Sequence, residues 1–402
     1  MFEPVAMNTI VCGGENLLIQ GDACAAIPEW NGRIQAVYCD PPFLTGKIFT
    51  RRRRFGEEGW RSGKPKIELP CYKDRFTDLA DYMRLLRGIA ENARALLTDT
   101  GLFMLHLDWR ASARGRIICD EVFGEDCFVN EVIWAYESGG RAKRTFCRKH
   151  DTILIYGKTR DWRMEPMAAG IRRDSRPRSH MKRGVDEKGR AYSEMISGGK
   201  AYRYYDDDLV TPGDVWTDIS HLQQLDPERT GWPTQKPAAL LRRLLVCALR
   251  PGDTVAELCC GAGTACVVAR ELCCGYVGVD LSPMALTTAA LRMRLNGLTL
   301  RMPLTPDGAE LQGSLEGDSV VLISGFHTGD DRFPVTNGPL DEAEAWLPGR
   351  LQDGVFTATE VFQRTVRQPA LTPMGLIPDG PGYPAVVCID AAGQAHGFRW
   401  RM

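Results

Sequence analysis

No stretch of this 402-residue chain reaches the roughly 18 consecutive apolar residues that a membrane-crossing helix needs. The opening segment MFEPVAMNTI has neither a basic cluster nor a long apolar run, so no secretory signal is expected and the cytoplasm is the natural compartment. Fourteen cysteines are present, yet none form a CxxC pair, which argues against a structural zinc site; no metal is expected. Those in Leu258-Cys259-Cys260 and Leu272-Cys273-Cys274 sit among apolar neighbours and read as reduced, buried, small hydrophobes. Internal repeats and low-complexity tracts are also lacking. What is present, 44% hydrophobic and 25% charged residues, suffices for one large core with at most a small appendage.

Net charge is only −1, but its distribution is uneven. Between Arg141 and Arg203, 18 Lys and Arg stand against 7 Asp and Glu, a net of +11. From Leu304 to Met402 lysine is absent and 6 Arg face 13 acids, a net of −7. A basic middle and an acidic tail suggest a polyanion-binding face and an appendage that avoids the polyanion.

Apolar runs alternate with helical patterns over the first two thirds, as in an α/β domain with a mostly parallel sheet. Strands are expected at Asn16–Gln20, Ile34–Cys39, Leu102–Leu107, Val129–Tyr136, Thr152–Tyr156, Thr254–Leu258 and Tyr276–Val279. Thr77 reads as the N-cap of a helix that ends at Gly101. A helix is expected from Pro237 to Pro251-Gly252, and another from Gly263-Thr264 to Gly275. Leu44 to Arg75 reads as a mobile basic loop, and Thr159 to Pro212 as an irregular basic insertion. Past Leu304, β-like runs at Val320–Ser324 and Ala385–Ile389 predict a small, separate, mainly β unit whose core includes Trp346, Phe356 and Phe362.

Two motifs carry chemistry. Val255 to Thr264 is a strand followed by a Gly261-Ala262-Gly263 turn, and after the next helix comes a strand ending in Asp280. Such a half-fold binds nucleotides: glycines let the backbone approach the ligand, and the acid accepts from ribose hydroxyls. Cys266 replaces the third glycine of a dinucleotide site, so the turn suits an adenosyl ligand without a pyrophosphate. Asp40-Pro41-Pro42-Phe43, at the end of a buried strand, is a stiff turn that fixes one carboxylate and one ring.

In this order the pieces resemble the amino-methyltransferases of DNA in the permuted (beta) arrangement, the adenine-N6 and cytosine-N4 family. The resemblance runs from Leu17 to Leu295. It includes Leu18 to Asp22, the catalytic turn Asp40–Phe43, Leu105 to Arg110, Asn130 to Trp134, His150 to Tyr156, Asp214 to Ile219 and Gly231 to Pro237. The sequence departs from the family at Glu257-Leu258-Cys259, where Asp-Pro-Phe is frequent, at Cys39, and at Phe43 in place of a tyrosine.

That resemblance implies a Rossmann-like S-adenosylmethionine-dependent methyltransferase sheet flanked by helices in residues 1–303. It places the target-recognition region in the 159–212 insertion and leaves 304–402 as an appendage. It implies that the target base flips out of the duplex and stacks on Phe43, while Asp40 and the Pro41 carbonyl accept its amino hydrogens. Asp22, Thr234, Gln235, Lys236, Glu257, Gly261, Gly263, Thr264 and Asp280 are then expected at the cofactor. Within that group Thr234, Gln235 and Lys236 contact the methionine moiety or order its loop. DNA is expected to meet Arg51, Arg52, Arg53, Arg54, Arg172, Arg173, Arg176, Arg178, Lys182 and Arg183. Adenine N6 is the expected target. Cytosine N4, and a nonenzymatic DNA-binding subunit, are the competing readings. For the appendage, packing on the catalytic domain, homodimerisation and docking to a restriction or defence subunit stay open.

Overall fold

The computed structural model describes all residues except 15, 65, 138–141, 173–180, 305–307, 318, 335–337 and 402. At its centre five parallel strands lie side by side in the order Asn16–Gln20, Gly275–Asp280, Thr254–Leu258, Ile34–Cys39 and Leu97–Leu107. All six residues of Ile34–Cys39 are buried, as a strand covered on both faces requires. Its alternating side chains split between two cores. Ala36 and Tyr38 pack with helices Ala238–Ala248, Thr264–Glu271 and Pro283–Arg292; Val37 and Cys39 pack with Leu79–Leu96 and Ser112–Phe123. His150–Gly157 and Phe128–Ala135 continue the sheet antiparallel.

The expected strands match observed ones to within a residue or two at each end, except that Leu97–Leu107 starts five residues early and Val320–His327 runs three residues further. The first long helix is capped by Asp78, not Thr77, its side chain accepting from the Asp81 amide. That helix ends at Leu96, because Leu97 already pairs with Ile34 in the sheet. Helices Ser112–Phe123 and Pro283–Arg292 were not expected from the pattern.

Three larger expectations are corrected. The region from Leu44 to Arg75 is ordered: Lys47–Arg54 and Lys66–Asp74 form an antiparallel hairpin with a short helix, Gly56–Ser62, at its tip. The 159–212 insertion folds into a three-stranded sheet, Lys182–Val185, Ala191–Ser197 and Lys200–Tyr205, beside a two-stranded one. The segment after 303 is mainly β but does not stand apart. Val355–Ala358 pairs in parallel with Met7–Cys12, and Ala343–Gln352, Tyr383–Asp390 and Ala395–Trp400 extend the same 16-stranded sheet. Sequence composition shifts at 304, but backbone pairing, which composition does not reveal, carries the sheet across the shift. Trp346 and Phe362 do stack there, with centroids 4.6 Å apart, whereas Phe356 packs into the main core.

Candidate active site

Register in the parallel strands brings four carboxyl ends together: Asp280 lies opposite Gln20, Leu258 opposite both Val279 and Cys39. Open α/β sheets bind ligands at such an edge. A cavity of about 680 Å³ opens there, a size suited to one small molecule and a base. Asp22, Asp40, Pro41, Pro42, Phe43, Thr234, Gln235, Lys236, Glu257, Gly261, Thr264 and Asp280 all touch it, so the two motifs, 217 residues apart at their closest acids Asp40 and Glu257, share one chamber.

The glycine turn is held open by backbone geometry. Gly261 and Gly263 have φ of +51° and +67°, where a side chain is strained. A Cβ at Gly261 would lie 2.7 Å from Trp232 Nε1, and one at Gly263 2.7 Å from Ala289 Cβ. Gly263 thus shapes the turn without touching the cavity. Asp280 braces the turn with both oxygens, accepting from the Gly261 amide at 2.8 Å and the Ser282 amide at 2.9 Å. Burial pushes its carboxyl up to about 6 against those two amides. Glu257 reaches beneath the turn and accepts from the Cys266 amide at 3.1 Å; burial pushes it up to about 7. Asp22 accepts from the Cys24 amide at 2.9 Å.

The Asp40–Phe43 turn rests on Asp74, which sequence reasoning missed. Asp74 is 1% exposed and accepts from the amides of Phe43, Leu44 and Thr45 and from the Thr45 hydroxyl. This anchorage holds Leu44 at φ +59°. Beneath Phe43 lies His106, ring against ring at 6.1 Å. His106 is fully buried, 2.8 Å from the Tyr38 hydroxyl and 3.1 Å from Asp151, which also accepts from Tyr136 at 3.0 Å. Burial opposes charge on Asp151, but His106, Lys236 and Tyr136 outweigh it and hold the carboxyl below its ordinary value. A buried histidine in the apolar run Leu102–Leu107 was the available signal for this network; for Asp74 there was none.

Lys236 turns its ammonium toward the Asp40 turn within the chamber. Its Nζ is 2.5 Å from Asp40 Oδ2 and 4.9 Å from the centre of the Phe43 ring. Asp40 Oδ1 is buried and has no partner among the described residues. Gln235 orders its own loop, accepting from the Thr230 amide and hydroxyl and donating to the Glu228 carbonyl. Thr234, at φ +61°, is hydrogen-bonded to the Tyr72 hydroxyl at 3.0 Å; Tyr72 stacks between Phe49 and Trp232.

The Arg51–Arg54 run is not a uniform basic surface. Alternation along its strand turns Arg51 inward to Thr288 and the Thr230 carbonyl, and Arg53 inward to Glu344 and the Ala391 carbonyl. Only Arg52 is exposed, beside Glu68, while Arg54 lies over Trp60. Arg51 and Arg53 are thereby removed from the DNA-contacting set. In the insertion, Arg172 and Lys182 are exposed, and Arg183 is held by both oxygens of Asp206. Arg173, Arg176 and Arg178 lie outside the described residues. Much of the local positive charge is matched by acids that follow it, since Arg190 pairs with Asp207 and Asp208.

Ten of the fourteen cysteines are buried and all are free; of the two expected buried pairs Cys260 and Cys274 are buried, whereas Cys259 is half-buried and Cys273 exposed. Among the described residues there is no cluster of three metal-ligating side chains, and no helix is long and apolar enough to cross a membrane.

Residues 34–291 match the model of a family described as DNA methylase. Among curated proteins the chain is 22% identical over 309 residues to the type II methyltransferase M.EcaI of Enterobacter cloacae, a match covering 65% of each chain. It is 24% identical over 268 residues to the DNA adenine methyltransferase YhdJ of Escherichia coli, covering 66% of this chain and 78% of that one. Among solved structures, the PvuII DNA methyltransferase (cytosine-N4-specific) aligns with 70% of this chain and 87% of its own, at 13% identity and a TM-score of 0.46.

Proposed function

The chain belongs to the DNA methylase family of adenine-N6 and cytosine-N4 enzymes, and on that footing we propose that it methylates N6 of an adenine flipped out of duplex DNA, using S-adenosylmethionine. The observation that carries this reading is Asp40: a part-buried carboxylate whose buried Oδ1 has no partner among the described residues, beside a stacking ring, in the chamber that also holds the glycine turn.

The residues present suit an adenosyl ligand. The cradle at Gly261 is one that a Cβ would fill, and Asp280 offers a carboxylate whose own partners are backbone amides rather than a cation. Asp280 would hold the ribose, Asp22 the adenine side, and Gly261 and Thr264 the approach to the helix start. When bound, S-adenosylmethionine supplies an electrophilic methyl carbon.

The chain's own residues do the rest. Phe43 stacks on the extruded base and offsets part of the stacking lost from the duplex. Asp40 Oδ1 and the Pro41 carbonyl accept the two amino hydrogens, drawing the nitrogen toward tetrahedral geometry and freeing its lone pair. Lys236 neutralises the other carboxylate oxygen and so orients the free one. The nitrogen would bond to the methyl carbon as the carbon–sulfur bond breaks, leaving the neutral thioether S-adenosylhomocysteine, and the cationic nitrogen would then lose a proton to water, which needs no strong base. Rate comes from positioning and electrostatics. Arg172 and Lys182, two of the exposed cations among the described residues of the insertion, are offered to the duplex.

The test is to incubate the protein with S-adenosylmethionine and unmethylated genomic DNA, digest to nucleosides and identify the product by mass, with Asp40→Ala as control. N6-methyladenine dependent on Asp40 supports the reading. N4-methylcytosine overturns the choice of base, and no modified base overturns the activity.

A further inference from the structure

Three residues in the wall of the chamber, Arg332, Ala392 and Gln394, lie beyond the 34–291 stretch that carries the family likeness. We infer that the C-terminal segment completes the adenosyl end of the cofactor site, with the Asp390–Gln394 turn as a wall and the Gln394 amide pairing with the adenine edge. This rests on the proposed function for the identity of the occupant.

The turn joins the last two long strands, Tyr383–Asp390 and Ala395–Trp400, and is internally fixed. The Asp390 carboxylate accepts from the Gln394 amide at 2.8 Å and lies 3.1 Å from His396 Nε2, while Gly393 takes φ +81°. The turn is held against two elements that flank the chamber. On one side Thr287, on the helix that follows Asp280, donates to the Gly393 carbonyl at 3.2 Å. A Cβ at Gly393 would stand 2.5 Å from Thr287 Oγ1 and 2.6 Å from Met284 Cα, so the approach is close. On the other side Arg53, in the hairpin that extends from the catalytic turn, donates to the Ala391 carbonyl at 3.0 Å.

The chemistry of this end fits a purine. Leu281, Pro283, Met284 and Ala392 line the cavity next to Asp280, giving an apolar slot beside the carboxylate expected at the ribose. A purine in that slot needs a donor and an acceptor at its edge, and a carboxamide supplies both. Gln394 is exposed, reaches the cavity, and among the described residues its side-chain amide has no hydrogen-bond partner. Arg332 is a poorer candidate because Asp330 already holds its guanidinium with both oxygens.

The experiment uses the full chain and calorimetric titration with two probes, S-adenosylhomocysteine and its inosine counterpart, which replaces the purine amino group by a carbonyl. Wild type is expected to favour the adenosine form. Gln394→Ala should bind it about tenfold more weakly and lose most of the preference, as removal of an edge hydrogen bond predicts. Gln394→Glu, which keeps the size and one acceptor but removes the donors, should favour neither as wild type does. Ala392→Phe should fill the wall and abolish binding of both, with melting curves confirming that each variant is folded. Wild type that binds S-adenosylhomocysteine, with Gln394→Ala unchanged in affinity and preference, overturns the inference and leaves the proposed function standing. Wild type that binds neither probe overturns both.

Discussion

Lys236 and Asp40 form an ion pair across 196 residues of sequence, Nζ to Oδ2 at 2.5 Å, with both side chains largely removed from water. A cation against Asp40 Oδ2 is placed to act as a positioning residue for the carboxylate. Lys236→Met should therefore slow single-turnover methylation by on the order of 100-fold, the usual cost of losing one preorganised electrostatic partner. Affinity for S-adenosylhomocysteine should stay within about threefold, and Lys236→Arg should recover part of the rate. If affinity falls as far as the rate does, Lys236 belongs to the cofactor instead.

Phe43 has one face on His106, so its other requirement is only a flat ring. Phe43→Tyr should keep near-normal turnover, whereas Phe43→Ala should lose about 10- to 100-fold, the value of one stacked base. Burst kinetics on a duplex whose target base is mispaired would separate flipping from chemistry: much of the Phe43→Ala defect should vanish on the mispaired substrate, and persistence of the full defect would count against a stacking role.

Asp74 is a structural anion caged by three amides and a hydroxyl. Asp74→Ala leaves those donors inside the protein without an acceptor. Destabilisation of about 2–4 kcal/mol is expected by denaturant melts. Asp74→Asn should lie between, because an amide oxygen accepts fewer of the four. A melting curve for Asp74→Ala that overlays wild type would remove the anchor from the account of the turn.

Glu257 sets a pH dependence of stability. Burial raises its carboxyl from the ordinary 4.5 to about 7. While folded and unfolded chains both hold the proton, there is no cost; as pH climbs from 4.5 to 7 the unfolded chain ionises first, and the fold loses ground. The penalty is complete above pH 7 and is at most about 3 kcal/mol. Asp280, raised from 3.8 to about 6, adds in the same direction over a lower window. Between pH 5 and pH 8 the melting temperature of wild type should thus fall more than that of Glu257→Gln. Equal slopes would show that Glu257 is not the group concerned.

Arg53 and Glu344, 7% and 3% exposed, are 3.5 Å apart and join the catalytic hairpin to the C-terminal segment. Burial raises the Glu344 carboxyl although Arg53, Arg364 and Arg51 pull the other way, so the pair is held under a desolvation penalty. Removing one partner should cost about 3–5 kcal/mol in Arg53→Ala, while Arg53→Met combined with Glu344→Leu should recover most of it. Chemical denaturation of the single and double variants measures the difference, and additive losses would mean that the two charges do not act as a pair.

Local signals were legible. The largely apolar run Ile34–Cys39, the Pro237 helix start and the glycines at 261 and 263 each depend on neighbours in sequence, and each appears where the pattern puts it. So do the residues of the two motifs, because short backbone turns fix where their side chains point. Pairings set by the fold were not legible. A run of four arginines does not say that alternate members of a strand face inward to Thr288 and Glu344. The acidic composition after 304 hid strands that join the main sheet, since backbone hydrogen bonds have no compositional signature. Asp74 looked like one more polar residue of a loop, and only the hairpin brings it under the turn it anchors.

Arg53 donates to a carbonyl 338 positions further along the chain. At about 5–20 residues per second, a ribosome delivers the arginine roughly 17–70 s before its acceptor. During that interval the catalytic hairpin has been made but its burial partners have not, Phe55 waiting for Phe333 and Trp60 for Glu344. A nascent chain that has passed Asp40, Gly261 and Asp280 still lacks Arg332, Ala392 and Gln394, which line the same chamber.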